Sequence, residues 1–406
     1  MTRVVITGAG IVSPIGVGVD AYWSQFVRGT SGVRPTTRFQ YPGSPESVNA
    51  AVVDDDLSQL LPCKDSTWNA ARTTTFALAA TKLAIADAGL DLATLDLRNV
   101  GIAFGTTLSC VSLMSSFDRR AIEQGPRLSD PGVFPDTGFS APACRISVLL
   151  GPCAFNVTLS NGETAVLDAL EYACSFIRSG RAHTVLVGGS EEISTESVFG
   201  FAETKARHSR ANGRRCPDPQ HNECPVLGEG AGVIVIESLD HARNRSSRVL
   251  AEVLSCASTC DPRRLHHSAA GLEPACLAVR NALEKSALAA KDIDFVCHGT
   301  NGLQTIDAIE SRVLNRVFGH EQPIRSDPAS QIGGSYSAGG AMKLITAAMA
   351  LYAGVAPPET RSRPDMQASR PINSAEPRGP SAGIVTSLAA CGSNAAVVLR
   401  AWDCAA

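Results

Sequence analysis

Few side chains in this sequence offer chemistry, and most lack the company a reaction needs. The 13 cysteines are scattered, with no Cys-x-x-Cys pair and no His/Cys cluster at zinc spacing, so neither a redox dithiol nor a metal site is predicted. Gly8-Ala9-Gly10 follows a strand-like run and could open a dinucleotide-binding loop. The third glycine of that fingerprint would fall on Ser13, however, and Pro14 interrupts the helix start, so a tight turn between two strands is expected and no cofactor is predicted. Ser160-Asn161-Gly162-Glu163 precedes a helical pattern and matches the S-x-x-E capping box, in which serine caps the helix and glutamate reaches back to the serine N–H. The same segment admits a reactive reading, with Ser160 as nucleophile and His298 as base of an acyltransferase or hydrolase. His298 alone also fits a satisfied core histidine.

The elements that would position these groups alternate along the chain. Apolar β-branched runs at 4–7, 101–104, 155–159, 184–187, 232–236, 295–298, 384–387 and 395–399 read as mostly buried strands. Three- and four-residue apolar spacing predicts helices over 67–88, 163–179, 272–285, 305–317 and 338–352. That alternation predicts α/β layering. With 406 residues, 44% hydrophobic and 18% charged, the chain can bury one large core or two fused cores without disulfides or metals. A charged stretch at 239–247 places a boundary between halves near 245, giving 1–245 and 246–406. Residues 356–380, rich in Gly and Pro, read as a long surface connection. A net charge of −3 offers no basic stripe for nucleic acid or an anionic membrane. No apolar run reaches the roughly 18 residues of a membrane span, and the opening strand has no signal-peptide pattern, so a soluble, cytoplasmic protein is expected.

Four blocks, in order and spread end to end, carry a family resemblance: VVITGAGIVSPIG at 4–16, LGEGAGVIVIESLDHARNR at 227–245, CHGTNGLQTIDAIE at 297–310 and GSNAAVVL at 392–399. They resemble elongating β-ketoacyl-carrier-protein synthases, the ketosynthases. The resemblance implies a thiolase fold: two related βαβα-type halves in a five-layered αβαβα arrangement, assembled as a dimer. It also implies a decarboxylative condensation, in which a cysteine at a helix N-terminus takes up an acyl chain and two histidines hold a malonyl thioester carbonyl while enolate charge develops. A lysine helps to hold one of those histidines.

Placed residue by residue, that machinery is incomplete. Counting back from Gly188-Gly189, the cysteine position falls on Glu163; counting forward from Gly151-Pro152, it falls on Ser160. Cys153 and Cys174 lie nearby, one before the strand and the other about three turns into the helix, so neither is expected at the elbow. The family's Lys-Ser-x-x-Gly-His is here Ala329-Ser330-Gln331-Ile332-Gly333-Gly334, without the lysine and the second histidine. The first histidine persists as His298. The gate segment, with its phenylalanine in active enzymes, is Ser387-Leu388-Ala389-Ala390-Cys391-Gly392, which implies an altered or absent acyl gate.

Degenerate copies of this kind resemble the chain length factors of type II polyketide synthases. The resemblance implies a heterodimer with an active ketosynthase, fed by an acyl carrier protein with a phosphopantetheine-bound chain. The interface helix should follow the strand at 101–104. Met114 and Phe117 are then the expected tunnel gate, with Cys110 and Leu113 one turn back on the same face, although plain helix core or dimer interface explains any one of them equally. Rival readings are a priming malonyl-carrier-protein decarboxylase, against which Gly334 argues, the Ser160-dependent acyltransferase, and a homodimeric scaffold. Glu163-Thr164-Ala165 in place of glutamine and small residues directs the product expectation toward polyene or other reduced chains.

Overall fold

The computed structural model describes all residues except 1, 42, 45, 62–69, 152, 203–225, 266–270, 300–303, 359–378 and 403–406. The first residues of the helix expected at 67–88, most of the connection at 356–380, Pro152, and the 300–303 stretch of the third family block lie outside the described residues.

Two half-sheets repeat one topology. The first contains β1 (Val4–Ser13), with β2 (Gly16–Val17) on its end, β5 (Val100–Gly105), β6 (Phe155–Leu159), β7 (Thr184–Glu191) and β9 (Gly230–Ser238). Their order is β1-β9-β7-β5-β6. The second, β10 (Ala251–Cys260), β11 (Phe295–Cys297), β12 (Ile324–Ser326), β13 (Ala382–Leu388) and β14 (Ser393–Arg400), runs β10-β14-β13-β11-β12. In each, two antiparallel pairings lead to two parallel ones. Val4–Ile6 of β1 pair with Ala251–Val253 of β10, joining the half-sheets. At this seam Glu252, almost fully buried, accepts from Arg3 Nε (2.6 Å) and from Arg400 Nη2 (2.6 Å). A small separate sheet contains β3 (Val33–Thr36), β4 (Val48–Ala51) and β8 (Leu227–Gly228).

The helices that build the layers and the site are α1 (Val19–Val27), α2 (Arg72–Asp87), α3 (Val111–Gln124), α4 (Ala141–Leu150), α5 (Ala165–Arg178), α6 (Leu239–Asn244), α7 (Glu273–Ser286), α8 (Gln304–Phe318), α9 (Ala329–Ile332) and α10 (Tyr336–Ala353). Helices α5 and α10 share one core with the inner faces of both half-sheets. Helices α2 and α4 cover the outer face of the first half-sheet, and α7 and α8 that of the second. The layers are therefore αβαβα. Helix α10 can sit between two sheets because it is apolar nearly all round and carries small residues where strands come close. A Cβ on Gly232 of β9, for example, would stand 2.8 Å from Ala341 Cβ.

The turn expected at Gly8-Ala9-Gly10 does not form; all three residues lie inside the continuous strand β1. The glycines instead admit α2: a Cβ on Gly10 would stand 2.1 Å from the Ala80 carbonyl oxygen, and one on Gly8 2.5 Å from Ala88 N. Helix α2 rests on main chain at these points, and any side chain would push it off. Strand β10, AEVLSCASTC, was not anticipated, because its small polar residues hide the apolar run that marks other strands.

Candidate functional site

The chain leaves β6, turns through Gly162 at a φ of +77° and passes through a short 3-10 turn, Gly162–Thr164, before α5 begins at Ala165. The capping box expected here is absent. The 3-10 turn moves the start of α5 two residues beyond Glu163, and no side-chain hydrogen bond caps either helical segment. Ser160 is left exposed at the end of β6. Asn161 takes over the local bonding, with its Nδ2 donating to Thr164 Oγ1 (3.2 Å) and to the Asp168 carboxylate.

Of the two candidates for the nucleophile position, only Glu163 turns inward. It is buried and lines a cavity of about 20 Å³ with Gly299, Ala329, Gly334, Tyr336, Lys343 and Ser387. That volume holds roughly one water molecule. Ala329 and Gly334 thus line the cavity with Glu163, whereas His298 and Ser160 are not among its lining residues. Cys174 is fully buried within α5, and Cys153 stands half-buried before β6. Burial pushes the Glu163 carboxyl above its ordinary range. The main-chain N–H groups of Glu163 and Ala390, then the charges of Lys343 and Arg264, act in the opposite direction. The carboxyl thus sits in a small cup, near the main-chain N–H groups of Glu163 and Ala390, which favour its charged form. The turn bearing Ala390 is fixed over it by Ser387 Oγ, which donates to the Glu163 carbonyl at 2.8 Å.

His298 is buried just after β11, with Nδ1 3.7 Å from Glu310 Oε2 and its main-chain N–H donating to the Ser326 carbonyl at 3.0 Å. Its Nε2 has no hydrogen-bond partner among the described residues. Desolvation works against the imidazolium, but the nearby Glu310 carboxylate, with Asp327, outweighs it and raises the His298 pKa. Glu310 is oriented by Thr386 Oγ1, which donates to Oε1 at 2.8 Å. Ala329 opens α9, and its N–H donates to Asp327 Oδ1 at 3.0 Å. Gly334 is held by main chain, its N–H donating to the Val226 carbonyl (2.8 Å) and its carbonyl accepting from Gly228 N–H (2.9 Å). No imidazole or lysine amine reaches the cavity from 329 or 334.

Lys343 was not anticipated. Its buried Nζ donates to the Thr386 carbonyl at 2.7 Å, and burial lowers its pKa against the pull of Glu310 and Asp327. A single charge inside the apolar run of α10 was the available signal.

The α3 candidates divide between two environments. Cys110 is buried in a small cluster with Ala71 and Ala141, against which Leu113 packs. The Phe117 ring lies 5.9 Å from that of Phe134. Met114 lines an outer groove with Val111, Ser115, Asp118 and Ile122, so it does not share the inward face of Cys110. Two buried acids at the end of β7, also not anticipated, hold the segment. Glu191 accepts from the N–H groups of Thr107, Leu108 (3.1 Å) and Ser109 (3.1 Å), and Glu192 from that of Ser112 (3.2 Å). A carboxylate at the first turn of α3 suits the positive end of the helix. No group of three or more His, Cys, Asp or Glu that could hold a metal occurs among the described residues, and none of their helices is long and apolar enough to cross a membrane.

The family model for the β-ketoacyl synthase N-terminal domain matches residues 1–242, and that for the C-terminal domain matches 250–362. The chain is 28% identical over 371 residues to 3-oxoacyl-[acyl-carrier-protein] synthase 2 of Coxiella burnetii, covering 88% of this chain and 87% of that protein. It is 29% identical over 379 residues to the tetracenomycin polyketide synthase ketoacyl synthase alpha subunit of Streptomyces glaucescens, covering 88% and 86%. Among solved structures, the ishigamide ketosynthase/chain length factor superposes with a TM-score of 0.83 at 26% identity, covering 99% of this chain and all of that one. The repeated half-sheets, the central helix pair and the elbow before α5 are therefore those of a known lineage, and the chain belongs to the β-ketoacyl synthase family.

Proposed function

We propose that this chain is a non-catalytic chain length factor, which pairs with an active ketosynthase in a type II polyketide system and shapes the tunnel in which the product grows. The observation that carries the reading is Glu163, seated at the elbow in a cavity of about 20 Å³. A condensing enzyme needs a thiolate there, whereas an acylated carboxylate is an unstable anhydride. A site that takes an acyl chain also needs several hundred cubic ångströms, since ligand pockets run to roughly 300–1,000 Å³. The substitutions at Ala329 and Gly334 remove further support for an enolate. What stays useful is the surface: α3 has no fully buried residue along its length, which fits an element completed by a partner.

A carrier protein would deliver the chain to the partner's cysteine, and α3 would close the far end of the tunnel. The likeness to a ketosynthase/chain length factor pair supports this assignment. The test is co-expression with a ketosynthase and carrier protein from the same biosynthetic system. A heterodimer is expected, and Phe117→Ala or Met114→Ala should lengthen products without abolishing synthesis. Unchanged product length in both variants, or no heterodimer, overturns the reading. The retained His298–Glu310 pair favours a second reading, decarboxylation of a malonyl thioester, which carbon dioxide release by the isolated chain would reveal.

A further inference from the structure

We propose that Tyr336 is a stopper: its ring fills a space that would hold a short aliphatic chain beside the elbow, and removing the ring reopens that space as a binding site. The proposal deepens the non-catalytic reading of the elbow given above and rests on it, and not on the pairing with a ketosynthase.

The backbone is fixed on both sides of this residue. On one side, Gly333 lies so close to β8 that a Cβ on it would stand 2.7 Å from Gly228 N. Gly334 then exchanges main-chain hydrogen bonds with Val226 (2.8 Å) and Gly228 (2.9 Å). On the other side, Ser337 N–H donates to Thr107 Oγ1 at 3.2 Å and its hydroxyl to Glu191 Oε1 at 2.6 Å. The first turn of α10 is thereby tied to the acid that also holds the segment before α3. Between these anchors Tyr336 takes a φ of +47°. This is the left-handed region, where a bulky side chain crowds its own main chain and which glycine occupies freely. The backbone alone therefore calls for glycine, and a tyrosine kept there points to a ring that the site needs.

That ring faces inward. Tyr336 is half-buried and lines the cavity of about 20 Å³ with Glu163, Ile332 and Lys343. It also packs against the apolar cluster that contains Phe39, Val52, Ile193, Val198 and Leu227. It thus stands between the elbow and an apolar wall. Burial, then the charges of Glu163 and Glu191, push the phenol well above its ordinary range, so it stays neutral and needs no counter-charge.

Without the ring, the small cavity runs on to that wall. The added hollow is on the order of 100 Å³, near the size at which an apolar cavity takes up a benzene-sized guest. Its lining sets the class of guest. Apolar side chains close the far side, and Glu163 and Lys343 stand at the near end, which suits an unbranched aliphatic chain with one polar end.

The isolated full-length chain, Tyr336→Gly and Tyr336→Ala would each be titrated by calorimetry with straight-chain alcohols from propan-1-ol to octan-1-ol. Hexan-1-ol is expected to bind both variants at least tenfold tighter than wild type. Within each variant, affinity should rise about fourfold per methylene until the hollow is filled, and stay flat beyond. Tyr336→Gly is expected to melt above Tyr336→Ala, because only alanine keeps a Cβ at positive φ. Folded variants that bind no better than wild type, affinity indifferent to chain length, or Tyr336→Ala melting above Tyr336→Gly overturns the proposal. So does failure of both variants to fold, since a stopper closes a site and does not carry the fold. No ketosynthase or product enters the assay. Loss of the heterodimer, or unchanged product length, would sink the pairing and leave these binding results as they stand.

Discussion

A carboxyl group at 163 and a thiol at 163 ask different things of the same small cup. The carboxyl brings its own oxygens and fills the cup, while a thiol leaves it free for a substrate oxygen. Exchanging one atom type for the other does not rebuild the rest of the site. Glu163→Cys is therefore expected to give no β-ketoacyl product from carrier-bound acyl and malonyl groups, as read by mass spectrometry. Product from that variant would show that Ala329 and Gly334 can be bypassed. Sequence reasoning named His298, Ala329 and Gly334 through spacing within motifs, and of these Ala329 and Gly334 line the cavity with Glu163. It left Ser160 and Glu163 open because a 3-10 turn and an α-helical turn differ by fractions of a residue per turn, and that difference is invisible in a gapped count. Lys343 escaped because its neighbours in sequence are all core residues.

Among the elements, α3 depends on acids that lie outside it. Burial pushes Glu191 up to about 7 from an ordinary 4.5, against the opposing pull of Ser337 and the N–H groups of Thr107, Leu108 and Ser109. The folded chain then holds a proton that the unfolded chain releases. Stability contributed by this group is present below pH 4.5, declines as pH rises toward about 7, and is flat above that. Glu191→Gln is expected to remove that slope in denaturant midpoints measured across the range, and an unchanged slope would place the titration elsewhere. Most strands of the half-sheets were legible because they are apolar and largely buried on both faces; β10 and β12 were not. The segment that fixes the start of α3 was not, because its partners come from the end of β7 more than 80 residues away.

For the whole molecule, duplication makes the seam between β1 and β10 decisive. Neither half-sheet closes its inner face alone, since α5 from the first half and α10 from the second share one core with both. Glu252 ties first, middle and last strands together through Arg3 and Arg400. Its carboxyl is held below its ordinary range: desolvation pulls upward, but the hydrogen bonds and charges of Arg3 and Arg400 exceed it. This contribution is present above the unfolded pKa and is lost as pH falls through the folded one. Glu252→Ala is expected to cost about 1–3 kcal/mol, with both halves still unfolding in one transition by calorimetry. Two separated transitions would show that the halves stand independently. The two-half plan was expected from the family resemblance; the seam was not, because β10 carries no strand-like apolar run.

The cup around Glu163 also bears on descent. On the chain length factor reading proposed above, a return to condensation would require vacating the cup, widening a space that holds one water, and supplying both a lysine at 329 and a histidine at 334. On that reading each change alone would gain little turnover while the others are missing, so selection would have no gradient to climb. The occupied cup would then act as a ratchet, making the passage from enzyme to partner far easier in one direction than in the other.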